Sequence, residues 1–173
     1  MVEWGAYDRQ AAVAYAHRWA YRRNMTYYDY EDIGGDCTNF ASQCLYAGSG
    51  VMDYTPDFGW YYINANDKAP AWTGVEYLYR YLTRQDPTPG PAAAEVGLRQ
   101  VMPGDIVQFS FREDGLFTHT AVVVRVPPVR PTLRTVLVAS HSYDADNRPL
   151  STYAFRSVRF LHITGVWREA AAR

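Results

Sequence analysis

The sequence predicts an α+β fold, with helices first and an antiparallel sheet second. Three observations predict it. Residues 7–23 carry Ala12, Tyr15, Ala16 and Trp19 along one stripe at helical spacing. Residues 37–47 repeat that spacing with Cys37, Phe40, Ala41 and Cys44. From residue 105 onward the pattern changes to β-rich runs, at 105–111, 119–126, 134–141 and 157–167, with turn signals between them. Helical and β patterns that segregate along a chain argue for α+β rather than an alternating α/β sheet.

The elements follow in order. The first helix is expected over 7–23, with His17 off its apolar stripe and on the surface. Residues 24–35 form a tyrosine-rich loop that ends in Gly34-Gly35. The second helix begins at Cys37, with Asp36 as N-cap and Gly48 and Gly50 as its stop. An ordered loop with Trp60, Tyr61, Tyr62 and Trp72 leads to a short helix at 74–83. Residues 85–94 are rich in Pro, Gly and Ala and are expected as a flexible surface connection. In the second half, 112–115 is a turn, and 127–133 is a hairpin loop whose prolines keep it out of the sheet.

Composition limits the function classes. The chain has 173 residues, 48% of them hydrophobic and 20% charged, which suits one domain over residues 1–173 with a real core. A formal net charge of -1 gives no bulk electrostatic case for nucleic acid or an anionic membrane as partner. No run is long enough for a transmembrane helix, and the start lacks a basic-then-apolar signal pattern. A monomer is expected. The two cysteines, Cys37 and Cys44, lie seven apart on one helix, about 10 Å between Cα atoms, too far for a disulfide.

The chemistry-bearing residues begin with Cys37. A helix N-terminus leaves N–H groups unpaired, and its dipole favours negative charge. That position is expected to lower a thiol pKa and to offer donors to an oxyanion. Cys44, two turns deeper on the stripe, is expected as a small buried hydrophobe. A cysteine nucleophile needs a histidine base. Of four histidines, His162 is expected to be packed or at a strand rim. A hairpin symmetric about Arg130 places His119 directly opposite His141, on one face, with Cβ atoms about 5 Å apart. His119 then accepts the thiol proton and returns it to the leaving amine. His141, or in its place Asp144, orients His119. Cys37, His119, His141 and Asp144 are also zinc-ligand types, but no close-spaced ligand pair occurs, so neither metal nor other cofactor is expected.

The segment "DCTNFASQCLYAG" resembles the signature of the bacterial putative amidase domain family. The Trp60-Tyr61 pair, the Gly104-Asp105-Ile106 strand opening, His119 at the head of an apolar strand and "HSYDADNRPLS" match that family's later motifs in order, up to about residue 166. The resemblance implies a papain-like fold akin to the NlpC/P60 and CHAP cell-wall hydrolases. It implies Cys37 as nucleophile, His119 as base and His141 as orienter. It also implies an upstream tyrosine at the oxyanion site, for which Tyr27, Tyr28, Tyr30 and Asn24 compete and Tyr30 is preferred. Trp60, Tyr61, Trp72 and the tyrosines would line a substrate groove. The implied activity is cysteine-dependent hydrolysis of an amide bond, as amidase or endopeptidase, in bacterial peptidoglycan peptide, which in turn implies a secreted or envelope location. The alternatives are a papain-like peptidase or acyltransferase with a protein substrate, and a non-catalytic module that binds wall or peptide.

Overall fold

The computed structural model describes residues 1–172. A short strand β1 (Val2–Gly5) precedes helix α1 (Arg9–Trp19), which Asp8 caps by accepting a hydrogen bond from the Ala11 amide. Helix α2 (Cys37–Ser49) ends at Gly50, whose left-handed φ of 70° closes the last turn onto the Tyr46 carbonyl. A two-stranded ribbon, β2 (Tyr62–Asn64) and β3 (Asp67–Lys68), leads to short helices α3 (Pro70–Thr73) and α4 (Val75–Leu82). The sheet then collects β4 (Gly90–Val96), β5 (Ile106–Ser110), β6 (His119–Arg125), β7 (Leu137–Ser140), β8 (Ala145–Pro149) and β9 (Ser157–Glu169).

The large sheet runs β1-β9-β5-β6-β7-β8, with β4 also on β9, and every pairing is antiparallel. Apart from β1, which joins the edge of the large sheet, and the small β2–β3 ribbon, the helices precede the strands as the sequence predicts. The first helix is shorter than expected: it ends at Trp19, whose carbonyl accepts from the Arg22 amide of a following turn and from His141 Nε2.

Residues 85–94 depart most from the expected connection. From Gly90 they are not a surface connection but the start of β4, laid along β9 from Trp167 to Phe160. Arg84 fixes the approach by donating to the Thr88 and Pro91 carbonyls. Small side chains suit an edge strand, and Pro91 is tolerated at such an edge.

The central strand β6 is buried on both faces, as a sandwiched strand should be. Val122 and Val124 face α1 and α2 in one core with Phe40, Leu45, Trp60 and Trp72. Ala121 and Val123 face a second core with Val107, Phe109, Val138 and Phe160. Helix α2 lies in the first core with eleven of its thirteen residues buried. It approaches the start of α1 closely at Gly48, where any β-carbon would collide with Tyr7 and the Asp8 carbonyl. His162 is a packed histidine. Its Nδ1 meets the buried Asp105 carboxylate at 2.9 Å, and Arg9 binds the same carboxylate at 2.6 Å.

Candidate active site

The site is assembled where the N-terminus of α2 meets the first residues of β6. Thr38 and Thr120 join the two elements by a hydroxyl–hydroxyl bond of 3.0 Å. The Thr120 backbone also bonds the Cys37 thiol. Cys37 and His119, one residue before Thr120, line one cavity of about 760 Å³. Its walls include Gly34 and Gly35 on one side and Phe111, Arg148 and Tyr153 on the other. Both glycines have left-handed φ, 89° and 98°, and Gly35 passes so close to Ser142 that a β-carbon would sit 3.1 Å from its Oγ. That tight passage explains the Gly-Gly step before the cysteine.

Asp36 occupies the N-cap position, yet its carboxylate does not cap the helix. Oδ1 accepts from the Tyr30 amide at 2.9 Å and from Asn39 Nδ2 at 2.8 Å. Oδ2 meets His141 Nδ1 at 2.5 Å. No side-chain cap therefore occupies the first-turn amides of α2, beside the Cys37 sulfur.

The two histidines do not meet. On the observed ladder Val122 faces Ala139 and Val123 faces Val138, one residue out from a hairpin symmetric about Arg130. A slip of one residue exchanges the two faces of a strand. His119 accordingly lies on the Phe109 side, with ring centroids 5.7 Å apart and Tyr153 at 5.9 Å. His141 lies on the helix side, stacked on Phe40 at 4.1 Å. Both of its nitrogens are committed, Nδ1 to Asp36 and Nε2, as donor, to the Trp19 carbonyl at 2.8 Å. His141 thus ties the start of α2 to the end of α1 and does not orient His119. Asp144 does not orient it either, because its carboxylate is bound by Arg23 at 2.8 and 3.1 Å. His119 Nε2 is buried without a hydrogen-bond partner among the described residues.

The electrostatics differ from the helix-dipole expectation. Burial raises the Cys37 thiol pKa; hydrogen bonds from the Thr120 backbone and Thr38 oppose the rise without cancelling it. Burial, helped by the Arg148 charge, lowers His119 from the usual 6.5 to about 4. The resting pair is therefore a neutral thiol and a neutral imidazole. Below pH 6.5 the unfolded chain binds a proton at His119 that the folded protein refuses, so stability is lost as pH falls from 6.5 toward about 4. The loss amounts to about 3 kcal/mol. His119→Gln removes this contribution. Urea unfolding of both proteins at pH 7 and pH 4.5 measures it, and equal acid losses in the two would contradict the assignment.

The model of the putative amidase domain family matches residues 6–164. The chain belongs to that family. A Bacillus subtilis relative, the uncharacterized protein YhbB, is 34% identical over 145 residues, which cover 82% of this chain and 43% of that protein. The chain thus spans less than half the length of that curated relative. No solved structure matches. The family description points to a hydrolase as the general class.

The remaining expected site residues of this amidase domain fall elsewhere. Tyr30 donates its hydroxyl hydrogen to the Ala65 carbonyl at 3.0 Å and does not line the cavity with Cys37. It supports Asp36 through its amide, not an oxyanion through its phenol. Tyr30→Phe should keep at least about half of the parent hydrolysis rate, since one part-buried neutral hydrogen bond away from the cavity contributes only about 1 kcal/mol. A hundredfold fall would restore the oxyanion role. Trp60 and Trp72 are fully buried in the helix-side core. Their indole N–H groups donate to Ser42 at 3.0 Å and Asn39 at 2.9 Å. Asn39 also reaches the preceding loop at the Tyr28 carbonyl, and Gln43 accepts from Tyr15. The polar residues of the α2 motif are thus core partners for aromatic side chains. Tyr61 packs with Tyr54, outside the Cys37 cavity. The aromatic wall of the cavity comes instead from Phe111, Tyr143 and Tyr153, in the second half of the chain. Among the described residues no three His, Cys, Asp or Glu side chains gather as a metal site.

Proposed function

We propose that this amidase domain is a cysteine hydrolase of papain-like type that cleaves an amide bond in bacterial wall peptide. The observation that carries the reading is Cys37 at an uncapped helix N-terminus, sharing one cavity with a neutral histidine. The order of elements, a cysteine at the head of a helix that packs on an antiparallel sheet with a histidine opening its next strand, supports the papain-like reading.

In the resting protein no hydrogen bond joins Cys37 and His119. Catalytic hydrogen bonds commonly tighten only when substrate binds. The substrate carbonyl carbon forms a bond with Cys37 Sγ as His119 accepts the thiol proton. The carbonyl oxygen takes up the negative charge against the first-turn amides of α2. The C–N bond then breaks, and the amine leaves with the proton from His119. Water attacks the resulting thioester and gives one proton to His119. The C–S bond breaks, and that proton returns to the sulfur.

Digestion of purified peptidoglycan, with released fragments identified by mass, tests the substrate. The parent is expected to release fragments with new amine and carboxyl ends, and His119→Ala to lose nearly all of that release. Cleavage of an unfolded protein with no action on peptidoglycan would assign the domain to protein peptidases instead.

A further inference from the structure

Arg148 stands in the cavity with no acidic partner among the described residues. Arg23, by contrast, is bound by Asp29, Glu31 and Asp144. Arg148 is half-buried, which makes an unpaired cation costly. It is also held rigidly. Its Nε donates to Thr152 Oγ1 at 2.8 Å and Nη2 to the Thr152 carbonyl at 3.1 Å. The guanidinium plane lies over the Tyr153 ring, 3.8 Å from the centroid. Nη1 has no partner among the described residues and is available for an acceptor. The one carboxylate in the cavity wall, Glu31, is engaged by Arg23 and by the Ser142 hydroxyl.

We infer that Arg148 is the anchor for a free carboxylate on the substrate, so that the domain prefers amides with a carboxylate close to the scissile carbonyl. The inference rests on Cys37 as the nucleophile of this cavity. A preoriented guanidinium bound on one edge and stacked on an aromatic ring loses little freedom when it takes up a carboxylate. Removal of that charge leaves the pocket unable to discriminate an anionic substrate from its neutral amide.

Two alkylating agents separate this inference from the reading beneath it. Iodoacetate carries a carboxylate and iodoacetamide its neutral amide, and both form the same thioether bond with expulsion of iodide. At pH 8 the iodoacetate-to-iodoacetamide rate ratio at Cys37 is expected to exceed that of free glutathione about tenfold. Arg148→Gln should bring the ratio down to the glutathione value, while Arg148→Lys, which keeps the charge, should retain part of the excess. An Arg148→Gln ratio equal to the parent's would overturn the carboxylate anchor and leave Cys37 reactivity intact. A Cys37 inert to both agents in the folded protein would overturn the nucleophile assignment and this inference with it. A matched peptide pair ending in carboxylate or carboxamide then extends the test to turnover. The expected mark of Arg148→Gln is a rise in KM for the carboxylate peptide alone.

Discussion

Cys37→Ala loses amide hydrolysis by at least about four orders of magnitude while the fold remains. Cys37 lies at the rim of the core, 8% exposed, and one sulfur lost there costs about 1 kcal/mol. Cys44→Ala should show the opposite balance. Cys44 is fully buried in the helix-side core, and burial pushes its thiol far above the usual range. Its loss leaves a small cavity worth about 1–2 kcal/mol and spares turnover. Hydrolysis rates and thermal unfolding of the two variants check both halves of the contrast. Turnover by Cys37→Ala close to that of the parent would remove the thiol from the chemistry.

The second large effect is expected at the Asp36–His141 pair. Both side chains are about 1% exposed, and each supplies a hydrogen bond that no water can replace. Asp36 ties the Tyr30 amide, Asn39 and His141 together immediately before Cys37, and His141 carries the tie on to the end of α1. The Asp36 amide meanwhile donates to Ser142, in a segment where Ser142 and Tyr143 both adopt left-handed φ near 60°. Non-glycine residues hold that conformation only when their surroundings fix it. His141→Ala leaves a buried carboxylate with one partner fewer, at a cost of about 3–5 kcal/mol, or a fall in Tm of about 10 °C for a domain of this size. The rate should fall with it, because the start of α2 is no longer tied through Asp36 to the segment after β7 and to the end of α1. His141→Gln, which can restore one of the two hydrogen bonds, should recover part of both losses. Unchanged Tm in His141→Ala would show that the tie contributes nothing.

Much of this arrangement is legible in the sequence, and the missing parts share a cause. The start of α2 at Cys37 follows from local punctuation and helical spacing. So do His119 at the head of an apolar strand and the order of helices before sheet. The role of His141 does not, because it depends on a strand register that one extra residue in β6, between Val123 and Arg125, shifts from one face to the other. Symmetry about a loop is a sound first assumption. It fails wherever a bulge enters, as it does between Val123 and Arg125. Trp60 and Trp72 mislead for a related reason. An indole suits a groove or a core equally well from local sequence, and only the distant Ser42 and Asn39 settle the matter by accepting the N–H groups. Strand β4 hides in a Pro/Gly/Ala segment because its stability comes from β9, some seventy residues away, and not from its own propensity. The unpaired Arg148 leaves no local signal at all, since the sequence does not show which arginines find carboxylates.

His119 is proposed to activate Cys37 from a neutral resting pair. The rate of iodoacetamide labelling at each cysteine at pH 7, located by peptide mass, tests it most directly in the parent and in His119→Ala. Label is expected on Cys37 and none on Cys44, with the Cys37 rate falling at least about tenfold when the imidazole proposed to accept its proton is removed. Labelling of Cys37 at the same rate in His119→Ala as in the parent would contradict it.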